Sequence, residues 1–206
     1  VIAFLITAGV WAFRQRDSGA RHFLVAGLGT LLFTNAAAAY TTRELIFDKN
    51  LLWTLSMANH LGAFFFSAAL LALLWNYPRR LGRFPLDYLA YAGAGLGWLA
   101  NAFQITPDVA FSYVITLALF APSFLLAAIQ WFHTRQHPVE RAALKWFLLS
   151  IYLGTILFAV MVLLPAAIGL PPFASQGLAF VVFLFMFVGI ALGITRYRLF
   201  DLDRWW

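Results

Sequence analysis

Residues 51–76, LLWTLSMANHLGAFFFSAALLALLWN, contain no Asp, Glu, Lys or Arg. As an α-helix rising about 1.5 Å per residue, such a run is roughly 39 Å long, more than the ~30 Å hydrocarbon core of a bilayer. A segment this apolar belongs either in lipid or deep inside a large soluble protein. The remaining sequence decides between them. The chain has 206 residues, of which 63% are hydrophobic and only 11% charged. Soluble domains carry about 25% charged residues, so this chain cannot cover itself with a polar surface and is expected in lipid.

Six further apolar segments accompany the first. The expected spans are residues 1–13, 23–40, 51–76, 86–104, 110–133, 146–169 and 176–195. All exceed the ~9–11 residues of a transmembrane strand and none alternates in polarity, so the fold class is all-α, a polytopic protein of seven transmembrane helices. The 1–13 segment is short for a full crossing and starts at Val1, so it is expected to be the end of a longer helix. Pro122 and Pro165 fall inside the fifth and sixth spans, where they should bend the helices.

Basic residues give the orientation. The junctions after spans one, three, five and seven hold Arg14, Arg16, Arg21, Arg79, Arg80, Arg83, Arg135, Arg141, Lys145, Arg196, Arg198 and Arg204. The other junctions hold only Arg43 and Lys49. The positive-inside rule then puts the N-terminus outside and the C-terminus in the cytoplasm. The net charge of +6 is topological, with anionic headgroups as its partner, and no nucleic acid is implied. The outer junctions, TTRELIFDKN, ITPD and LPPFAS, are too short to form an extracytoplasmic domain.

Several chemistries are missing. With no cysteine there is no disulfide or thiolate site. All eight acidic residues, Asp17, Glu44, Asp48, Asp87, Asp108, Glu140, Asp201 and Asp203, lie in junctions or at helix ends. Ion-coupled transporters place carboxylates at membrane depth, which weakens that class. The seventh span has no Lys for a retinal Schiff base, and His22, His133 and His137 are too near the inner surface to pair with His60 on a haem. The glycines of GAGLGW, Gly93 to Trp98, sit mid-span and are expected to allow close helix packing rather than to bind a nucleotide. No catalytic or metal-ligating residue is expected.

His60 is the one ionisable group well inside a span, which makes it a functional candidate. Ser56 lies one turn before it and Asn59 beside it. Asn35, Asn101, Gln104, Ser112 and Tyr113 share the outer half by depth. Together, Asn35, Ser56, Asn59, His60, Asn101 and Tyr113 form a candidate ligand-binding set, with Trp53, Trp98 and Phe64 as walls. Its ligand would be a small hydrophobic or amphiphilic molecule. The plainer reading is that these groups hydrogen-bond between helices, worth about 1 kcal/mol each.

Two cytoplasmic stretches carry more. HPVERAALKWFLLS, from His137, is a helix start, with Pro138 in the first turn, Glu140 at the positive end and Trp146 at the interface. The closing RYRLFDLD runs from Arg196 to Asp203. PVERAALKW and RYRLFDLD together resemble the N-terminal multi-span membrane regions of bacterial sensor histidine kinases, including relatives of quorum-sensing kinases. The resemblance covers about a tenth of the chain; the rest matches in hydropathy.

That resemblance implies a sensory module of a two-component system in the bacterial inner membrane. Arg196, Tyr197, Arg198, Leu199, Phe200, Asp201 and Asp203 would transmit the signal. The kinase core, its ATP and its response regulator would belong to a region outside residues 1–206, so this stretch is not itself an enzyme and holds no cofactor. Kinase relatives act as dimers, which allows a homodimer here and leaves the oligomeric state open. The competing reading is a small-solute transporter or permease, which should show internal repeats and broken helices at midplane; no repeat is evident. Leu199, Leu202 and Trp206 would form one apolar stripe if the end is helical, so residues 196–206 are expected to lie along the inner surface as a connector.

Overall fold

The computed structural model describes residues 1–41, 48–106, 111–158, 160, 161, 165, 170, 171, 173 and 181–196. The architecture is all-α, with seven helices among the described residues: α1 (Ile2–Phe13), α2 (Ser18–Thr41), α3 (Lys49–Asn76), α4 (Leu86–Ala102), α5 (Phe111–His133), α6 (Pro138–Phe158) and α7 (Val182–Arg196). Among the described residues, three helical stretches are long and apolar enough to cross a membrane: Ser18–Ala39, Lys49–Asn76 and Val114–His133. Helix α6 begins at Pro138, eight residues before the hydropathy boundary, with Glu140 in its first turn. Helix α5 continues through Pro122. The connector from Tyr197 onward, with six of the seven transmission residues, lies outside the described residues, as does the side chain of Arg196.

The chain forms two compact units, Ala3–Gln130 and Trp131–Trp206. In the first, α3 is central: 72% of its most apolar window is buried, against 44% for α2 and 22% for Val114–His133. From Phe66 to Leu74 it is buried on every side, because α2 and α4 both pack on it and rings from α5 reach it. The helix is therefore apolar all round, as expected of a core helix.

Helices α2 and α3 meet backbone to backbone. A Cβ added to Gly29 would lie 2.7 Å from the carbonyl oxygen of Gly62 and 2.8 Å from the amide nitrogen of Phe66. One added to Gly62 would lie 2.6 Å from the amide nitrogen of Phe33. Helix α1 meets α2 through a side chain instead, the buried Thr7 resting on Gly27. Close approach of small residues is how helices gain van der Waals contact when lipid supplies no hydrophobic drive. Rings continue the packing: Phe33 meets Phe66 edge-on at 5.7 Å, Phe66 stacks on Phe120 at 6.4 Å, and Phe120 meets Phe124 edge-on at 5.3 Å. Of the GAGLGW glycines, Gly97 alone makes a tight approach, 3.0 Å from Ile115; Gly95 has nothing within 4 Å and Gly93 only Leu119 at 3.9 Å.

Several hydroxyls are satisfied within their own helices. Thr30, Thr34, Ser67 and Thr116 each donate to the carbonyl four residues back, at 2.6–2.9 Å. This removes the cost of an open donor in an apolar setting. The last turn of α3 is closed carbonyl by carbonyl. Leu73 accepts from the Tyr77 amide at 2.7 Å and Trp75 from the Leu81 amide at 3.0 Å. Leu74 accepts from Gln130 Nε2 of α5 at 2.8 Å, and the same nitrogen donates to the Arg79 carbonyl at 2.6 Å.

In the second unit, α6 and α7 pack on each other. Leu144, Phe147, Leu148 and Ile151 are buried on α6, and Met186, Phe187, Ile190 and Ile194 on α7, the three- and four-residue spacing of a helix–helix seam. Gly189 sits where a Cβ would run into the side chain of Ser150, whose hydroxyl donates to the Trp146 carbonyl. Gly189→Ala is expected to cost about 2 kcal/mol by overpacking. Ser150→Gly in the same chain should return most of that loss. Chemical denaturation of the two variants in detergent micelles measures both. Arg141 lies over the Trp131 ring at 4.4 Å, joining the start of α6 to the end of α5 within this unit.

Candidate functional site

His60 and Asn101 meet between α3 and α4. Asn101 Nδ2 lies 2.7 Å from His60 Nδ1, and both residues are buried. Thr106 Oγ1 donates to Asn101 Oδ1 at 3.3 Å, with the amide nitrogen toward the imidazole. Nδ1 then accepts, which leaves the proton of the neutral ring on Nε2. Phe64, fully buried one turn along α3, stacks on the imidazole at 6.3 Å and 12°. Trp98 Nε1 donates to the Met57 carbonyl at 3.0 Å, a second tie between α3 and α4 at this level.

The end of α4 explains how Thr106 arrives there. Ile105 donates to the Ala100 carbonyl at 2.8 Å and Gln104 to the Asn101 carbonyl at 3.1 Å. Gln104 has φ 56°. This pair of bonds around a left-handed residue is a Schellman motif, which stops the helix and turns the chain back over it. Gln104 is exposed and serves as the turn residue.

The six candidate binding residues are thus only partly gathered. His60 and Asn101 are in contact. Ser56 and Asn59 are half-buried and Asn35 is exposed; among the described residues none of the three hydrogen-bonds to that pair. Tyr113 lies in α5, but its side chain is outside the described set. Ser112, beside it, is buried with a hydroxyl that has no hydrogen-bond partner among the described residues. Of the expected walls, Phe64 is in place, Trp98 is half-buried against α3 and Trp53 is exposed. Thr106 is the member that sequence reasoning missed.

A second polar cluster stands at the other end of α3. His22 of α2 lies with Nδ1 2.9 Å from the Tyr91 hydroxyl and Nε2 3.2 Å from Asn76 Nδ2. Asn76 Nδ2 also donates to the Ala72 carbonyl at 2.9 Å and to Asp87 Oδ2 at 3.3 Å. Asp87 Oδ2 is 3.9 Å from His22 Nε2, and each of those side chains is 13% exposed. Tyr91 stacks on both His22 and Phe65. The sequence placed His22 and Asp87 at the edge of the apolar spans without linking them. The one available signal was the spacing of Asp87 and Tyr91, four residues apart on one face of α4. No group of three or more metal-ligating side chains occurs among the described residues.

No protein-family model, curated protein or solved structure matches the chain.

Proposed function

We propose that this chain is the membrane sensory and signal-transmitting module of a bacterial two-component sensor histidine kinase. In this reading all seven helices cross the inner membrane, with the N-terminus outside and the C-terminus in the cytoplasm. A small hydrophobic or amphiphilic ligand, or a change in the bilayer, favours one of two helix arrangements. The segment after α7 passes that bias to a kinase core that binds ATP, works as a homodimer and phosphorylates a response regulator.

The observation that carries the sensory role is the buried His60–Asn101 bond between α3 and α4. An imidazole and an amide within otherwise apolar helices cost free energy to hold there, and such groups mark sites of function or of specific helix pairing. The large apolar side chains on the outside, among them Leu96, Leu117, Leu125 and Phe185, each 60% exposed or more, support lipid contact. The PVERAALKW and RYRLFDLD stretches support the kinase assignment, and the alternation of basic junctions supports the orientation.

The test uses the full-length protein in native membranes. ATP-dependent autophosphorylation is expected, and its absence would sink the kinase reading. Asn101→Leu removes the partner of His60 and should cost about 1–2 kcal/mol of stability. If the pair is the sensing element, the variant should still insert and yet have its phosphorylation fixed at one level, whatever lipid extract is added. A variant that responds like the wild type leaves the pair a packing feature only.

A further inference from the structure

The cluster at the Asn76 end of α3 has a hydrogen-bond pattern that changes with the charge state of His22. Asn76 Nδ2 faces the Ala72 carbonyl, which can only accept, so the amide nitrogen is fixed toward the cluster. That nitrogen also faces His22 Nε2 at 3.2 Å, which accepts from it when His22 is neutral at Nε2. The ring proton is then on Nδ1, donated to the Tyr91 hydroxyl. Asn76 has two N–H groups and three contacts, so the second N–H is shared between His22 Nε2 and Asp87 Oδ2. Neutral His22 is thereby tied to α3 through Asn76.

We propose that His22, Asn76, Asp87 and Tyr91 form a two-position latch worked by a proton on His22. When Nε2 takes up a proton from water, it becomes a donor facing the donor of Asn76, and that bond is lost. The acceptor within reach is the Asp87 carboxylate of α4, at 3.9 Å. Closing that gap by roughly 1 Å gives a charge-assisted bond of ~2.8 Å. Asp87 Oδ1, buried and without a hydrogen-bond partner among the described residues, keeps the carboxylate free to turn. Helix α2 then exchanges its bond to α3 for a second one to α4, beside the His22–Tyr91 bond.

The groups that face His22 are few. Asp87 and Tyr91 come from α4, and Arg21 precedes it in α2. From α3 and the residue after it come the uncharged Asn76 and Tyr77, the latter packed against Gly19. Asp17 is engaged by the Gly19 amide at 2.9 Å. Among the described residues, Asp87 is thus the one carboxylate positioned to receive the protonated ring. The latch is sixteen residues, about 24 Å, from His60 along the same helix, so α3 carries a polar tie at each level. It stands whether or not the His60 end binds a ligand.

The test is ¹⁵N NMR of protein labelled at histidine and asparagine side chains, in lipid nanodiscs, titrated from pH 8 to pH 5. The His22 signal is assigned by its loss in His22→Gln. Should that variant not fold, replacing His60, His133 and His137 assigns it by elimination. At pH 8 the expected His22 tautomer has the proton on Nδ1, the opposite of the usual form in water. On acidification Nε2 gains a proton, and the Asn76 amide signal moves with the same midpoint. In Asp87→Asn the Asn76 response is lost or separated from the histidine step. An Nε2–H tautomer at pH 8, no protonation by pH 5, or an Asn76 signal indifferent to His22 each overturns the proposal.

Discussion

Gly29→Ala is expected to cost the folded protein about 3 kcal/mol, at the upper end of what overpacking one methyl produces. The reason lies in what the methyl would meet. At 2.7 and 2.8 Å its neighbours are the Gly62 carbonyl oxygen and the Phe66 amide nitrogen, both backbone atoms of the buried middle of α3. A side chain can rotate away; a helix backbone held between α2, α4 and the α5 rings cannot. Relief requires α2 to move off α3, which loosens the Phe33–Phe66 edge contact as well. Gly62→Ala should cost a similar amount, because its Cβ would meet the Phe33 amide at 2.6 Å.

The two substitutions strike the same contact, so the double variant should lose clearly less than the sum of the singles. Gly9→Ala and Gly95→Ala are the controls. Both glycines are helical with nothing within 4 Å of a Cβ, so alanine should be neutral or stabilising by up to about 1 kcal/mol. Unfolding by sodium dodecyl sulfate from mild micelles, followed by circular dichroism, measures the set. A Gly29→Ala loss no larger than that of Gly95→Ala would show that the two backbones are not in contact.

Those glycines also mark the limit of what the sequence carried. Helices could be read because length and unbroken apolarity suffice, and the start of α6 at Pro138 followed from proline and Glu140 at a helix N-terminus. The partners of each helix could not be read. In α3 the apolar residues surround the axis, so periodicity names no face and Gly62 looks no different from Gly93. The value of a small residue depends on the helix opposite, and that is tertiary information. The GAGLGW glycines drew notice by being clustered, yet Gly29 and Gly62, far apart in sequence, make the closest backbone approach described above.

The polar residues divide in the same way. Depth alone put His60 and Asn101 in one half of the span set, and the structure joins them. Depth also grouped Asn35 with them, although it faces outward, because distance along a helix says nothing about azimuth. His22 and Tyr91 are 69 residues apart and their bond was invisible for the same reason. Serines and threonines gave no interhelical information, since most bond to their own helix.

Gln130→Leu is expected to have the other large effect, a loss of about 2 kcal/mol, although it replaces a polar group with an apolar one inside an apolar fold. Leucine is nearly the same size, so packing alone predicts little change. Gln130 is fully buried, however, and its Nε2 is what meets the Leu74 and Arg79 carbonyls. The carbonyls of the last turn of a helix have no partner within it. Two neighbours, Leu73 and Trp75, are closed by backbone amides that follow in the chain, but Leu74 is closed from a different helix. Removing the donor strands the buried Leu74 carbonyl at about 1–3 kcal/mol, while the Arg79 carbonyl, only part-buried, can turn to water; the favourable burial of leucine offsets part of the loss. Gln130→Glu separates the causes. It keeps shape and polarity but replaces the donor nitrogen with an oxygen, so it should lose at least as much as leucine does. Hydrogen exchange at Tyr77 and Leu81, whose amides close the same turn, should quicken in both variants and stay unchanged in Ile129→Leu, an exposed neighbour. If Gln130→Leu were as stable as the wild type, the end of α3 would be held by its own connector and not by α5.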